Sequence, residues 1–362
     1  MKKLLVLLMV FAIVTGSVFA ETSIEGGVNL DFGAIITMEP EEFDPTWYFD
    51  ILNSGTYIKA NYESDEVSAW AKVHFGLGLS ADATVKLGDA ASLSVGKNWL
   101  PWGQWSSIDL WGDNHYGFGS SASSSTLMYI QFGIAGLYAG ITEGGYVHGK
   151  WLASKYDEKK HDGINDIIPF PGFYAGYDFT AEDEKFGFGA AFAGALRGDG
   201  VKNADDKNVL PIMINLHGSI NLDLVTLGLN AALYAAPDYG FFSISQGEAG
   251  GYSLNSEFGS IVGGEDALVV EGMVNFVIGF DLCTIGFAAG LVTNLAKEEK
   301  GGGGFGIKLG LNAKFDLGGG FYCIPGAYFY NITGKEWDPG KNKSTEWKAA
   351  QVYAGVSLGY SF

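Results

Sequence analysis

The sequence is poor in charge, arginine, cysteine and long apolar runs, and each shortage argues against a class of protein. Charged residues make up 17% of the 362 residues, below the roughly 25% usual for soluble domains. Arginine occurs once, at Arg197, and the net charge is −19, which argues against nucleic acid as a partner. Two cysteines are too few for a disulfide scaffold or a cysteine zinc site. Beyond residue 20 no apolar run approaches the roughly 20 residues of a membrane helix.

Glycine and aromatic residues are abundant instead. The chain has 54 Gly, 25 Phe and 18 Tyr, and 47% of its residues are hydrophobic. This composition excludes a disordered chain and a coiled coil. The length allows one large domain or two ordinary ones.

The first twenty residues have the pattern of a secretory signal peptide. Lys2 and Lys3 form a basic start, residues 4–14 are apolar, and residues 18–20 form a small-residue cleavage site. We expect cleavage after Ala20, export of the chain, and a single mature domain over residues 21–362. No cysteine follows the cleavage point, so a lipoprotein is not expected.

Apolar and polar residues alternate along most of the mature chain. Between Phe305 and Phe315 every odd position is apolar, and the even positions are glycine, lysine or asparagine. Alternation over eleven residues predicts a strand with one apolar and one polar face. The same pattern predicts sixteen strands, near residues 22–37, 54–63, 66–78, 82–88, 91–98, 125–133, 137–143, 171–181, 185–197, 209–221, 224–235, 267–280, 284–295, 305–315, 320–331 and 347–362.

The connections alternate between long loops and tight turns, apart from a short link near 79–81. This arrangement is typical of outer-membrane barrels and is not expected of a Greek-key sandwich. Only a closed barrel lets strands satisfy their backbone groups in lipid. The even strand number places both termini at the short-turn end. Long loops are predicted at 38–53, 99–124, 144–170, 198–208, 236–266, 296–304 and 332–346.

The last strand alternates from Val352 to a terminal Phe362. In this it resembles bacterial outer-membrane barrel proteins, whose closing strand ends in a phenylalanine that the barrel-assembly machinery reads. The architecture also resembles sixteen-stranded trimeric porins. The resemblance implies an all-β, transmembrane, antiparallel up-and-down barrel in the cell outer membrane, surrounded by outer-membrane lipid and assembled as a homotrimer.

Sixteen strands predict a water-filled lumen, because barrels of this size are too wide for side chains to fill. The function expected is passive diffusion of small hydrophilic solutes and ions. Small inward residues on the ninth strand, Gly189, Ala191 and Ala193, leave room inside the barrel or only relieve curvature of the sheet. Acids in the long loops, such as Glu265 and Asp266, predict a mild cation preference.

The loop over residues 99–124 is the candidate constriction. In the porins that this chain resembles, the long loop after the fifth strand folds into the lumen. Here that loop carries four tryptophans, and folding inward would bury them; burial at the barrel rim or under a helix is the alternative. Pore-facing candidates in the loop are Trp102, Trp105, Asp109, Trp111 and Asp113.

Basic residues on strands two to four are the expected counterparts of the loop acids. Parity points Lys59, Lys72, His74 and Lys86 inward, and the turn near Ser64 places Lys59 and Lys72 on neighbouring strands. Plain solvation of these lysines in the lumen is the alternative. The other inward candidates are of both signs, so the lumen is expected to be mixed in charge: Glu25, Asp31, Arg197, Glu271, Lys308 and Lys314.

No catalytic residue, metal site or cofactor is predicted. His217 and Ser219 resemble the His-x-Ser pair of outer-membrane phospholipases, but parity turns them inward, away from lipid. Two rival functions remain open at this point: a surface adhesin anchored by the barrel, and an outer-membrane lipid hydrolase.

Overall fold

Every regular element that the structure describes is a β-strand. The structure is a computed structural model, and it describes residues 21–38, 43–51, 56–74, 78–98, 122–124, 127–142, 172–195, 212–235, 242–244, 248–249, 252–253, 268–296, 303–338 and 343–362. Residues 1–20, with the expected signal peptide, lie outside these ranges. Within them no helix is long and apolar enough to cross a bilayer.

Sixteen strands run antiparallel in chain order and form one sheet. The second strand consists of two segments. Two short ladders are separate from this sheet: Ala122–Ser124 pairs with Phe242–Ile244, and Glu248–Ala249 pairs with Tyr252–Ser253. The strands are β1 Glu21–Met38, β2 Phe43–Ile51 with Tyr57–Glu63, β3 Val67–His74, β4 Gly78–Lys86, β5 Ala91–Asn98, β6 Leu127–Ile134, β7 Leu137–Thr142, β8 Gly172–Thr180, β9 Phe186–Ala195, β10 Ile212–Leu222, β11 Val225–Ala235, β12 Leu268–Gly279, β13 Cys283–Asn294, β14 Phe305–Gly318, β15 Phe321–Asp338 and β16 Lys343–Ser361.

The sheet closes because β1 pairs with the last strand as well as with the second. Residues 27–38 of β1 pair with β16. On its other edge, β1 pairs with both segments of β2. The remaining barrel pairs join strands that are adjacent in sequence, so the ring is an up-and-down barrel without an open edge.

The sixteen-stranded barrel predicted from the sequence is confirmed, but three predicted connections were wrong. Residues 43–51 are strand rather than loop, because they continue the pairing with β1. Much of the predicted loop 332–346 is strand, because β15 and β16 pair as far as Asp338 and Lys343. Residues 79–81 belong to β4, which begins at Gly78. Backbone pairing continues where the alternation of side chains fades, and the sequence pattern does not detect such extensions.

The apolar side chains alternate onto the outer surface of the barrel. In β10, Asn215 and His217 are buried, whereas Ile214 and Leu216 are 44% and 57% exposed. In a soluble sandwich these apolar residues would form the core. A band of exposed aliphatic and aromatic side chains is what a barrel presents to lipid, and this orientation confirms the alternation predicted from the sequence.

Tight turns join the strands at one end of the barrel. In the turn between β6 and β7, Ala135 and Gly136 have φ values of 48° and 86°, as a type I′ hairpin turn requires. Gly26 and Phe362 exchange two backbone hydrogen bonds of 3.0 Å. The described chain therefore starts and finishes at the short-turn end, as the even strand number predicted.

Candidate functional site in the barrel interior

A row of three charged side chains crosses β1, β2 and β3 on the inner face. Glu25 lies opposite Lys59 in the register, and Lys59 lies opposite Lys72. The Lys59 Nζ atom is 2.7 Å from Oε1 of Glu25 and 5.7 Å from the ring centroid of Trp70. The Lys72 Nζ atom is 3.8 Å from the ring centroid of Tyr57, within cation–π range. The predicted adjacency of the two lysines is confirmed, and a carboxylate with two rings offsets their repulsion.

Further acids lie among the lysines of this wall. Glu63 is 3.9 Å from Lys86, and both side chains are well exposed. Asp82, half-buried on β4, accepts a 3.1 Å hydrogen bond from the Thr84 hydroxyl. The sequence predicted a basic wall on strands two to four facing acids from a loop, within a lumen of mixed charge. In the structure, the inner wall of β1–β4 carries charges of both signs.

The other predicted site residues are not part of this row. Lys314 on β14 is exposed, with its ammonium 4.8 Å from the Tyr322 ring centroid. Glu271 on β12 is buried. Lys308 lies on β14 and His74 lies on β3, but the structure does not describe their side chains. Six predicted residues lie outside the described ranges altogether: Trp102, Trp105, Asp109, Trp111, Asp113 and Arg197.

The wall on the opposite side, formed by β8–β12, is largely inaccessible and combines one apolar row with buried polar side chains such as Asn215, Asn230 and Glu271. A single register row crosses it, and each member is at most 2% exposed. Side chains facing an open lumen would meet water, so other atoms of the chain must lie against this row. The row, called the covered wall below, consists of Tyr174, Ala193, Met213, Tyr234 and Val269.

A hydrogen-bonded bridge spans three strands of the same region. In the register, Gly189 on β9 lies between Asp178 on β8 and His217 on β10. Because Gly189 has no side chain, His217 Nε2 reaches Asp178 Oδ1 at 2.8 Å. The other ring nitrogen is 2.7 Å from Oδ1 of Asn215. The imidazole and the carboxylate thus occupy the space that the missing side chain of Gly189 leaves inside the barrel. His217 points inward, as predicted.

Aromatic rings seated on glycines hold the closing seam of the barrel. The Tyr322 ring lies against Gly359, and its hydroxyl donates a hydrogen bond to Oδ1 of Asn29 across the seam. The Phe362 ring lies against Gly26. A Cβ on either glycine would overlap the ring beside it, so both rings fit at this seam only because these positions are glycine.

Comparisons with known proteins agree on the architecture. No family model and no curated protein sequence matches the chain. An anion-selective porin from Comamonas acidovorans superposes with a TM-score of 0.53 at 11% identity, over 95% of this chain and 100% of that one. The outer membrane channel DcaP of Acinetobacter baumannii gives 0.52 at 12% identity, over 96% and 98%. The trimer form of OmpT, an outer membrane protein of Vibrio cholerae, gives 0.52 at 11% identity, over 95% and 100%. The chain therefore has the barrel fold of these outer-membrane proteins.

Proposed function

We propose that this protein is an exported outer-membrane porin, through which small hydrophilic solutes and ions diffuse passively. The observation that carries the proposal is a closed sixteen-stranded barrel with an apolar outer face and an accessible, charged inner wall on β1–β4. A barrel of this size leaves space for water. Residues 1–20 act as the export signal, and outer-membrane lipid surrounds the apolar face. The role is transport without catalysis.

The solute path runs along the wall of β1–β4, and residues 99–124 lie on the covered wall opposite. Two features support this arrangement. The loop contains four tryptophans that need burial, and the covered wall offers an inaccessible, largely apolar surface. In this arrangement Asp109 and Asp113 face Lys59 and Lys72 across the narrowest part of the lumen.

A mild cation preference is the second part of the proposal. The short-turn rim supports it, because exposed acids outnumber exposed lysines among the described residues there. An acidic mouth raises the local concentration of cations. The acids are Glu21, Glu63, Asp65, Glu66, Asp89, Glu182, Asp183, Glu184, Asp223, Asp281 and Asp316, and the lysines are Lys86, Lys185 and Lys314.

Planar-bilayer recordings test both parts. We expect discrete conductance steps and, in a KCl gradient, a reversal potential of the sign that cation selectivity produces. Heat-denatured protein is the control. An anion-selective reversal potential would remove the cation preference alone. A folded barrel that inserts without conductance steps, and causes no liposome swelling, would contradict the channel and favour the adhesin. Detergent-solubilised protein that cleaves phospholipid would favour the hydrolase.

We also propose that copies of the chain form a homotrimer, and that the assembly machinery recognises the strand ending in Phe362. Small outward residues support an interface on the six strands around the closing seam, β15, β16 and β1–β4. Such residues allow another chain to approach closely. Ala60 lies beside Ala71 on β2 and β3, and Ala34 lies beside Ala354 on β1 and β16. One of the similar barrels is also a trimer.

Replacing Ala71 by tryptophan should convert most of the trimer to monomer, because the new ring would hold the two surfaces apart. Chemical crosslinking and light scattering in detergent measure the change. The matched control is Ala231→Trp on the outer face of β11, which should remain trimeric. An Ala71→Trp protein as oligomeric as the wild type would place the interface elsewhere.

A further inference from the structure

We propose that Glu25 sets how strongly the channel favours cations, by cancelling one of two adjacent lysine charges on the inner wall. The inference rests on the proposed channel function and assigns its ion preference to one residue. Lys59 and Lys72 are five and six residues from the turn at Ser64–Glu66, or about 16 to 20 Å along the strands. The row therefore lies inside the barrel, where every permeating ion passes it.

The geometry fixes the position of the Lys59 charge. Its ammonium is 2.7 Å from the Glu25 carboxylate and lies over the Trp70 ring. The Lys59 side chain is 27% exposed and that of Glu25 is 44% exposed, so both charges act on the lumen. Glu25, Lys59 and Lys72 together carry a net charge of +1. Without the carboxylate, the same row would carry +2 at the same place.

Two other described acids, Glu63 and Asp82, lack this contact with the lysine pair, and a third, Asp31 on β1, is only 2% exposed. Glu63 is 72% exposed and 3.9 Å from Lys86 at the rim, where water and salt screen its charge. Asp82 accepts a hydrogen bond from Thr84, which is itself 2.7 Å from Ser94, and among the described residues it forms no ion pair with a lysine. Glu25 is thus the acid placed to compensate the lysine pair.

Glu25→Gln is the first test. The amide keeps an oxygen acceptor for Lys59, so the barrel should assemble normally. At about 0.1 M salt, the K⁺ to Cl⁻ permeability ratio should fall about threefold, the factor expected for one unit charge roughly 6 Å from an ion in water. Lys59→Gln should raise the ratio by a similar factor. The Glu25→Gln/Lys59→Gln double variant should return to the wild-type ratio, because the net charge of the row is restored.

Glu63→Gln is the matched control, with the same chemical change at the screened rim, and its shift should be less than half as large. The inference is overturned if Glu25→Gln shifts the ratio no more than this control, or if the double variant keeps the shift of either single variant. If Glu25→Gln fails to assemble, Lys59→Gln decides: an unchanged ratio overturns the inference. A wild-type barrel that does not conduct would instead contradict the channel function itself.

Discussion

Deleting residues 102–118 should raise the single-channel conductance roughly twofold, since a sixteen-stranded barrel without an inward segment is a wider aqueous pore. The proposal places this segment on the covered wall, where it narrows the lumen. Its removal would expose the inner faces of Met213 and Tyr234 to water. The measurement is the conductance of single insertions in a planar bilayer at constant salt.

A deletion of equal length in another loop, residues 145–161, controls for general effects of loop removal. That variant should keep a conductance close to the wild type. If the 102–118 deletion inserts and its conductance is unchanged, another segment covers the wall. The lumen candidates Trp102, Trp105, Asp109, Trp111 and Asp113 would then lose their proposed role.

Gly189→Val should destabilise the barrel by about 2–3 kcal/mol, the cost of leaving a ring nitrogen of the buried His217 without its partner. A Cβ at position 189 would overlap the Asp178 carboxylate and the His217 imidazole. The new side chain would therefore separate the two groups that now meet across β9. The measurement is unfolding in urea in detergent micelles, compared with wild-type protein.

Ala190→Val, one residue along on the outer face of β9, is the matched control. It adds similar bulk to an exposed position, so its effect should stay within about 0.5 kcal/mol. Equal unfolding midpoints for the two variants would mean that the Asp178–His217 bridge adds nothing to stability. A normal Gly189→Val barrel would also show that this wall has room for larger side chains.

Some of the interior could be predicted because a hairpin turn fixes register locally. Lys59 and Lys72 flank a tight turn, so counting outward from that turn places them side by side. The partner of Glu25 could not be found in this way. β1 pairs with two segments of β2 in registers that differ by three positions, so a count along one segment does not carry over to the other.

The bridge between Asp178 and His217 shows a second limit. The two residues are 39 positions apart and lie on strands that are not neighbours. Their contact requires that Gly189 lie level with both, which depends on the registers of two successive strand pairs. Alternation reports which face of the sheet a side chain occupies, but it does not report its height along the barrel.

Period-two alternation is a local property of the sequence. The sequence alone was therefore enough to recognise the strands, to assign their inner and outer faces, and to predict the number of strands in the barrel. The long-range pairing of β1 with β16, the ion pair of Glu25 with Lys59, and the inaccessible row from Tyr174 to Val269 emerged from the folded barrel. Each of these depends on how distant strands are offset against one another. That offset is set by closure of the whole ring, to which every strand contributes.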